Sequence, residues 1–121
     1  MIFGVEFDGV IAERRGREMV LRTGAKQGLL ALRAAGHTLI LHTTRASQPP
    51  TDDGEAAKVL AHRDPEERRR SLAEMEAFLR KHGLWAVFVM VWDQPGKPTV
   101  DRYLDARALA PRWPELVRTY G

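Results

Sequence analysis

The chain has 121 residues, 44% of them apolar and 29% charged, enough for one domain and too short for two independent cores. It has no cysteine, which excludes disulfides, thiolate catalysis, and zinc or iron–sulfur clusters held by thiolates. The formal net charge is only +3, with 15 Arg against 4 Lys, and acids accompany the arginines in both halves, so a nucleic-acid partner is not called for.

The first element in chain order is Ile2–Phe7, a short apolar run that reads as a buried strand. Asp8-Gly9 ends it with a turn signal. A polar, Arg-rich stretch follows over Glu13–Arg22. Thr23 is placed to cap a helix running to about Ala35, with Leu29, Leu30 and Leu32 near its apolar face and Gly36 as its stop. Thr38–Thr43 is a second buried strand. Gln48–Gly54 is loop, and Glu55–His62 fits a short helix. Asp64, Pro65 and Glu67 form a helix start of the capping-box kind. Leu72, Met75 and Leu79 keep helical spacing until Gly83. Ala86–Trp92 is a third strand, Asp93–Pro98 a loop, Arg102–Asp105 a fourth strand, and Trp113–Tyr120 a closing helix with Pro114 near its start. The longest mainly apolar runs, Thr38–Leu41 and Leu84–Trp92, fall far short of the ~20 residues of a membrane span. Met1–Ile11 lacks the basic start, apolar stretch and cleavage site of a secretory leader, so a cytoplasmic protein is expected.

This alternation predicts a single α/β domain over 1–121, a mainly parallel sheet of about four strands with helices on both faces. Right-handed crossovers then bring the C-terminal ends of the strands to one edge, where such sheets bind ligands. The polar residues just past the strands are therefore the candidates. They are Glu6 and Asp8 with Gly9 after the first strand, Thr43 and Thr44 after the second, Lys97 in the loop before the fourth, and Asp105 at its end. Carboxylates suit Mg²⁺, a lysine and a hydroxyl suit phosphate oxygens, and paired acids suit attack on phosphorus and protonation of a leaving oxygen.

Glu6-Phe7-Asp8-Gly9-Val10, a strand closing on Thr43 or Thr44, Lys97, and Tyr103–Ala106 follow one another in an order that resembles the haloacid dehalogenase-like (HAD) hydrolases. The stretch GKPTVDRYLDARA is similar to the GKPxADxYIDDRA of small bacterial and phage members. The resemblance covers Ile2 to about Trp113. It implies a Rossmann-like HAD fold and a Mg²⁺-dependent phosphomonoester hydrolysis through a carboxyl-phosphate intermediate. By the same resemblance Glu6 stands at the nucleophile position and Asp8 at the acid/base position. Thr43, Thr44, Gly9 and Lys97 would bind phosphate. Glu6, Asp8 (through its carbonyl) and Asp105 would hold Mg²⁺. Two departures bear on the reaction centre: the family's nucleophile is Asp, and its last acidic pair is reduced to Asp105-Ala106. The alternative is accordingly a catalytically impaired phosphate- or metal-binding or interaction module.

The expected partner is a phosphorylated small molecule or an exposed phosphate group, with a homodimer conceivable and no membrane or nucleic acid. Gly9–Arg22 and Asp93–Lys97 are too short for a cap domain, which leaves the site open and 45–64 as its only flap. His42 is read as a core or lining histidine. Arg68–Arg70 is read as a solvated helix face, and Trp85, Trp92 and Trp113 as anchors of the core or of an interface.

Overall fold

The computed structural model describes residues 1–43, 45, 65–94, 97–105 and 112–121. Its strands are β1 (Ile2–Glu6), β2 (Ala12–Arg15), β3 (Glu18–Leu21), β4 (Thr38–His42), β5 (Phe88–Trp92) and β6 (Arg102–Leu104). Its helices are α1 (Ala25–Ala34), α2 (Pro65–Lys81) and α3 (Trp113–Tyr120), and a 3-10 turn at Trp85–Val87 leads into β5.

Four strands form one sheet in the order β5-β4-β1-β6, every neighbouring pair parallel. The chain is thus α/β with a four-stranded parallel sheet, as the alternation predicts. β1 lies inside the sheet, with Val5 opposite Leu41 on one side and Leu104 on the other. The steps β1→β4→β5 run in one direction and β5→β6 returns to the far side of β1. The reversal lies beside β1, where open α/β sheets leave a crevice at the strand ends.

Parallel crossovers of one hand that step in one direction put their helices on one face. Phe3, Val5, Leu39 and Leu41 on that face are fully buried, in one cluster with Leu29 and Leu32 of α1, Met75, Phe78 and Leu79 of α2, and Trp113 of α3. Phe7 meets Phe78 edge-on, and Phe3 meets Tyr120 in the same way. The opposite face carries Ile2, Ile40, Met90 and Tyr103, of which Ile2, Met90 and Tyr103 are exposed. Helices were expected on both faces; those described feed one core on one face. No described helix is long and apolar enough to cross a membrane.

Two local expectations need correction, and one stretch without a predicted element gains one. The Arg-rich stretch after β1 forms a hairpin, Glu18–Leu21 returning antiparallel on Ala12–Arg15. Its charges sit on a two-stranded ribbon that tolerates polarity on its open side. Thr23 does not cap α1, because the cap position falls on Gly24, in the left-handed region, with no side-chain hydrogen bond. The strand read as Ala86–Trp92 begins at Phe88, because Trp85–Val87 coils into the 3-10 turn. α2 does begin at Pro65; its expected cap, Asp64, lies outside the described residues, as does most of the 45–64 segment.

The start of α1 is shaped by Trp113. This side chain is buried and its indole N–H donates to the Val10 carbonyl at 3.1 Å. It lies against Gly24 and Gly28, one helical turn apart, and a Cβ on Gly28 would run into the ring. The glycines let α1 and α3 approach closely, and the indole ties both to the turn that carries Asp8. Gly28→Ala is therefore expected to destabilise the fold by ~1–3 kcal/mol through overpacking, although alanine is the better helix former. Urea denaturation checks this: a lowered midpoint at unchanged slope is the expected result.

Candidate functional site at the C-terminal edge of the sheet

β1 delivers Glu6 and Phe7 to the edge, and the chain then turns sharply. The Phe7 carbonyl accepts from the N–H groups of Ile11 and Ala12, and Gly9 takes a φ of 85°, a left-handed value glycine adopts freely. The Gly9 N–H donates to the Ala12 carbonyl at 2.8 Å, and the Gly9 carbonyl accepts from Arg22 at 2.7 Å. The amide that a phosphate would approach is thus already used inside the turn. A cavity of about 370 Å³ opens between this turn and the hairpin, lined by Asp8, Glu13, Arg14 and Met19. The hairpin therefore stands beside the candidate site, an element the sequence reading did not foresee there.

Two groups of polar side chains form at this edge. The first is centred on Arg45. Its Nε and Nη2 donate to the two carboxylate oxygens of Asp8, both at 2.9 Å. Its Nη1 donates to the Ser71 carbonyl at 2.9 Å and to Glu74 of α2 at 3.0 Å. Its backbone N–H donates to Thr43 Oγ1 at 3.2 Å. Arg14 of the hairpin reaches the same Glu74 at 2.9 Å. The Arg45 side chain is only 11% exposed, whereas Asp8 is half exposed. Bonding to Asp8 holds the proton on Arg45 more tightly than usual; burial opposes this, and Glu74 adds to it. A planar guanidinium matches a carboxylate in this forked arrangement where an ammonium does not.

The second group lies on the other side of β1. Lys97 Nζ meets Asp105 Oδ2 at 3.1 Å, with Asp105 buried and Lys97 half exposed. The lysine also lies 5.3 Å from the centre of the Tyr103 ring. Glu6 is in register with His42, and one step past the Val5–Leu104 pair the same rung reaches Asp105. Burial pushes the His42 imidazole below its ordinary pKa, and the charge of Lys97 adds to the fall while Asp105 opposes it.

The structure thus brings Asp8 to Thr43 through Arg45, and joins Lys97 to Asp105. Register sets Glu6 between the two groups. Thr44 lies outside the described residues. Among the described residues, no three acid or imidazole side chains converge as a metal-binding group. Glu6, Asp105 and the Asp8 carbonyl are nevertheless hard oxygen donors of the kind Mg²⁺ takes, and Mg²⁺ commonly uses only one or two protein carboxylates. Sequence reasoning missed Arg45 and Glu74. Arg45 follows a strand end directly, which was a signal; nothing in the sequence links positions 8, 45 and 74.

No protein-family model matches the chain, and neither a curated protein nor a solved structure matches it.

Two expectations follow. Arg45→Ala leaves Asp8 and Glu74 without their shared cation and should cost ~1–3 kcal/mol, most of it not recovered by Arg45→Lys; chemical denaturation of the two variants measures this. His42 has a lowered pKa when folded, so the unfolded chain binds its proton first as the pH falls. Stability should therefore decline as pH drops below ~6.5. His82, lowered chiefly by burial, contributes in the same direction. His42→Gln should flatten part of that decline, read from denaturation midpoints across the window.

Proposed function

We propose that this chain is a HAD-like domain that binds a phosphate group at the C-terminal edge of its sheet without turning it over. The observation that carries the reading is the forked Arg45–Asp8 pair. A carboxylate acting as acid and base at a leaving oxygen must exchange a proton there. With both of its oxygens engaged by the Arg45 fork, the Asp8 carboxylate is turned to the arginine rather than to a leaving oxygen. The nucleophile position adds to this. Glu6 carries its carboxylate one methylene further than Asp, and a misplacement of ~1 Å can cost roughly a hundredfold in rate.

Support for anion binding comes from Lys97. Its ammonium is half exposed and carries three donors, one of them given to Asp105. Charge at the edge is balanced, with Arg14, Arg22, Arg45 and Lys97 set against Glu6, Asp8, Glu74 and Asp105. Glu6, Asp105 and the Asp8 carbonyl would hold Mg²⁺, which when bound would offset the charge of an incoming phosphate. Lys97 then orients the phosphate oxygens, while Arg45 keeps Asp8 and the end of β4 in place.

The test combines titration calorimetry with inorganic phosphate, in the presence of Mg²⁺, and release of phosphate from an aryl phosphate. The expected outcome is phosphate binding that Lys97→Ala weakens about tenfold or more, a change of ~1.4 kcal/mol, with no release above blank. Mg²⁺-dependent release by the wild-type chain that Asp8→Ala abolishes would instead make it a phosphatase. Absence of phosphate binding would remove the reading altogether.

A further inference from the structure

β5 ends the sheet order β5-β4-β1-β6, so no described strand pairs with its outer side. Edge strands are normally guarded by charge, proline, a bulge or a covering element; among the described residues β5 carries only a bulge, at Val89. β5 reads Phe88-Val89-Met90-Val91-Trp92, without charge or proline, and it exposes Val89 at 56% and Met90 at 43%. Beside it, between α2 and the strand, is an open groove of about 600 Å³ with Leu72, Met75, Trp85 and Val91 in its wall and Arg80 and Asp93 among its polar lining.

Register assigns the faces. Val91 pairs with Leu41 and so lies on the core side, the side of the groove, while Met90 pairs with Ile40 on the other. Alternation returns Val89 to the groove side. The register slips between Leu39 and Ile40, which leaves Val89 as the extra residue of a bulge.

We propose that β5 pairs with β5 of a second copy of this chain, antiparallel about a two-fold axis at Met90, joining the two sheets into one. In that register Val89 of each copy sits opposite Val91 of the other. Directly paired residues share a face, so each Val89 lands over the partner's groove beside Val91 and Trp85. The exposed plug and the apolar recess are then one self-complementary surface, as a two-fold contact requires. Charge selects the direction. Arg80 stacks 5.3 Å from the Trp85 ring at the N-terminal end of β5, and Asp93 follows its C-terminal end. Antiparallel pairing brings each Asp93 towards the other copy's Arg80, which Glu76 of its own helix also holds at 3.0 Å, whereas parallel pairing sets Asp93 beside Asp93. The surface is separate from the phosphate site and does not rest on that reading.

Sedimentation velocity of the full chain over a concentration series tests this, together with hydrogen exchange of the β5 amides. The wild-type chain should sediment at twice 13.7 kDa, with outward β5 amides protected in the dimer and exchanging on dilution. Val89→Lys, at an exposed position, should keep its circular dichroism and weaken the dimer at least tenfold. Arg80→Asp should weaken it as well, and Asp93→Arg added to Arg80→Asp should restore it. A wild-type monomer across the series overturns the proposal, as does a dimer that Val89→Lys leaves intact. A monomer whose β5 amides stay protected assigns the edge to another part of the chain and overturns it equally. Should Val89→Lys fail to fold, the charge-reversal pair and the exchange data decide.

Discussion

The position of β1 inside the sheet is the constraint on which the rest depends. Its backbone is hydrogen-bonded on both sides, to β4 and to β6, so its register cannot slip without breaking two ladders at once. Phe3 and Val5 are fully buried on one face, and a slip of one residue would turn them away from the core. That double pairing, with the packed face, determines where Glu6 and the Asp8 turn emerge. The site is consequently built on backbone held from both sides, although its polar side chains lie at a half-open edge.

The edge divides its charges between two tasks. Arg45 ties the turn after β1, the end of β4 and the body of α2 together through Asp8, Thr43, Ser71 and Glu74. An arginine suits this because its several rigid donors can serve different elements at once. Lys97 and Asp105 form a pair in which only the carboxylate is buried, leaving the ammonium turned towards solvent. The first group fastens the structure, and the second faces whatever approaches the edge. Asp8 belongs to the first group, with both carboxylate oxygens on Arg45.

Trp113 links this edge to the helical layer. Its indole bonds to the Val10 carbonyl within the turn that follows Asp8, and its ring fills the space left by Gly24 and Gly28. A closing helix far from the site in sequence thereby braces the loop that shapes it. The Arg-rich ribbon β2–β3 adds a further support, since Arg14 shares Glu74 with Arg45. Each of these ion pairs and the Trp113–Val10 bond joins residues separated by tens of positions.

Much of the architecture was legible in the sequence. The near-continuous apolar runs of β1 and β4, Pro65 at the start of α2, Gly36 and Gly83 beyond two helices, and Trp113–Tyr120 as the last helix all express local rules of burial and backbone conformation. Those rules also brought Glu6, Asp8, Thr43, Lys97 and Asp105 to one edge, because parallel connections leave the strand ends no other place. The hairpin was not legible, since Ala12–Leu21 buries little and shows too weak an alternation of apolar and polar residues. Nor was the cap of α1 at Gly24, a left-handed glycine in contact with Trp113, 89 positions away in the chain. The pairing of side chains belonged to tertiary structure alone. Sequence placed Asp8 beside a turn, but only the packing of α2 against β1 and β4 set Arg45 between Asp8 and Glu74, because an ion pair is decided by distance in space, and a linear pattern carries no such distance.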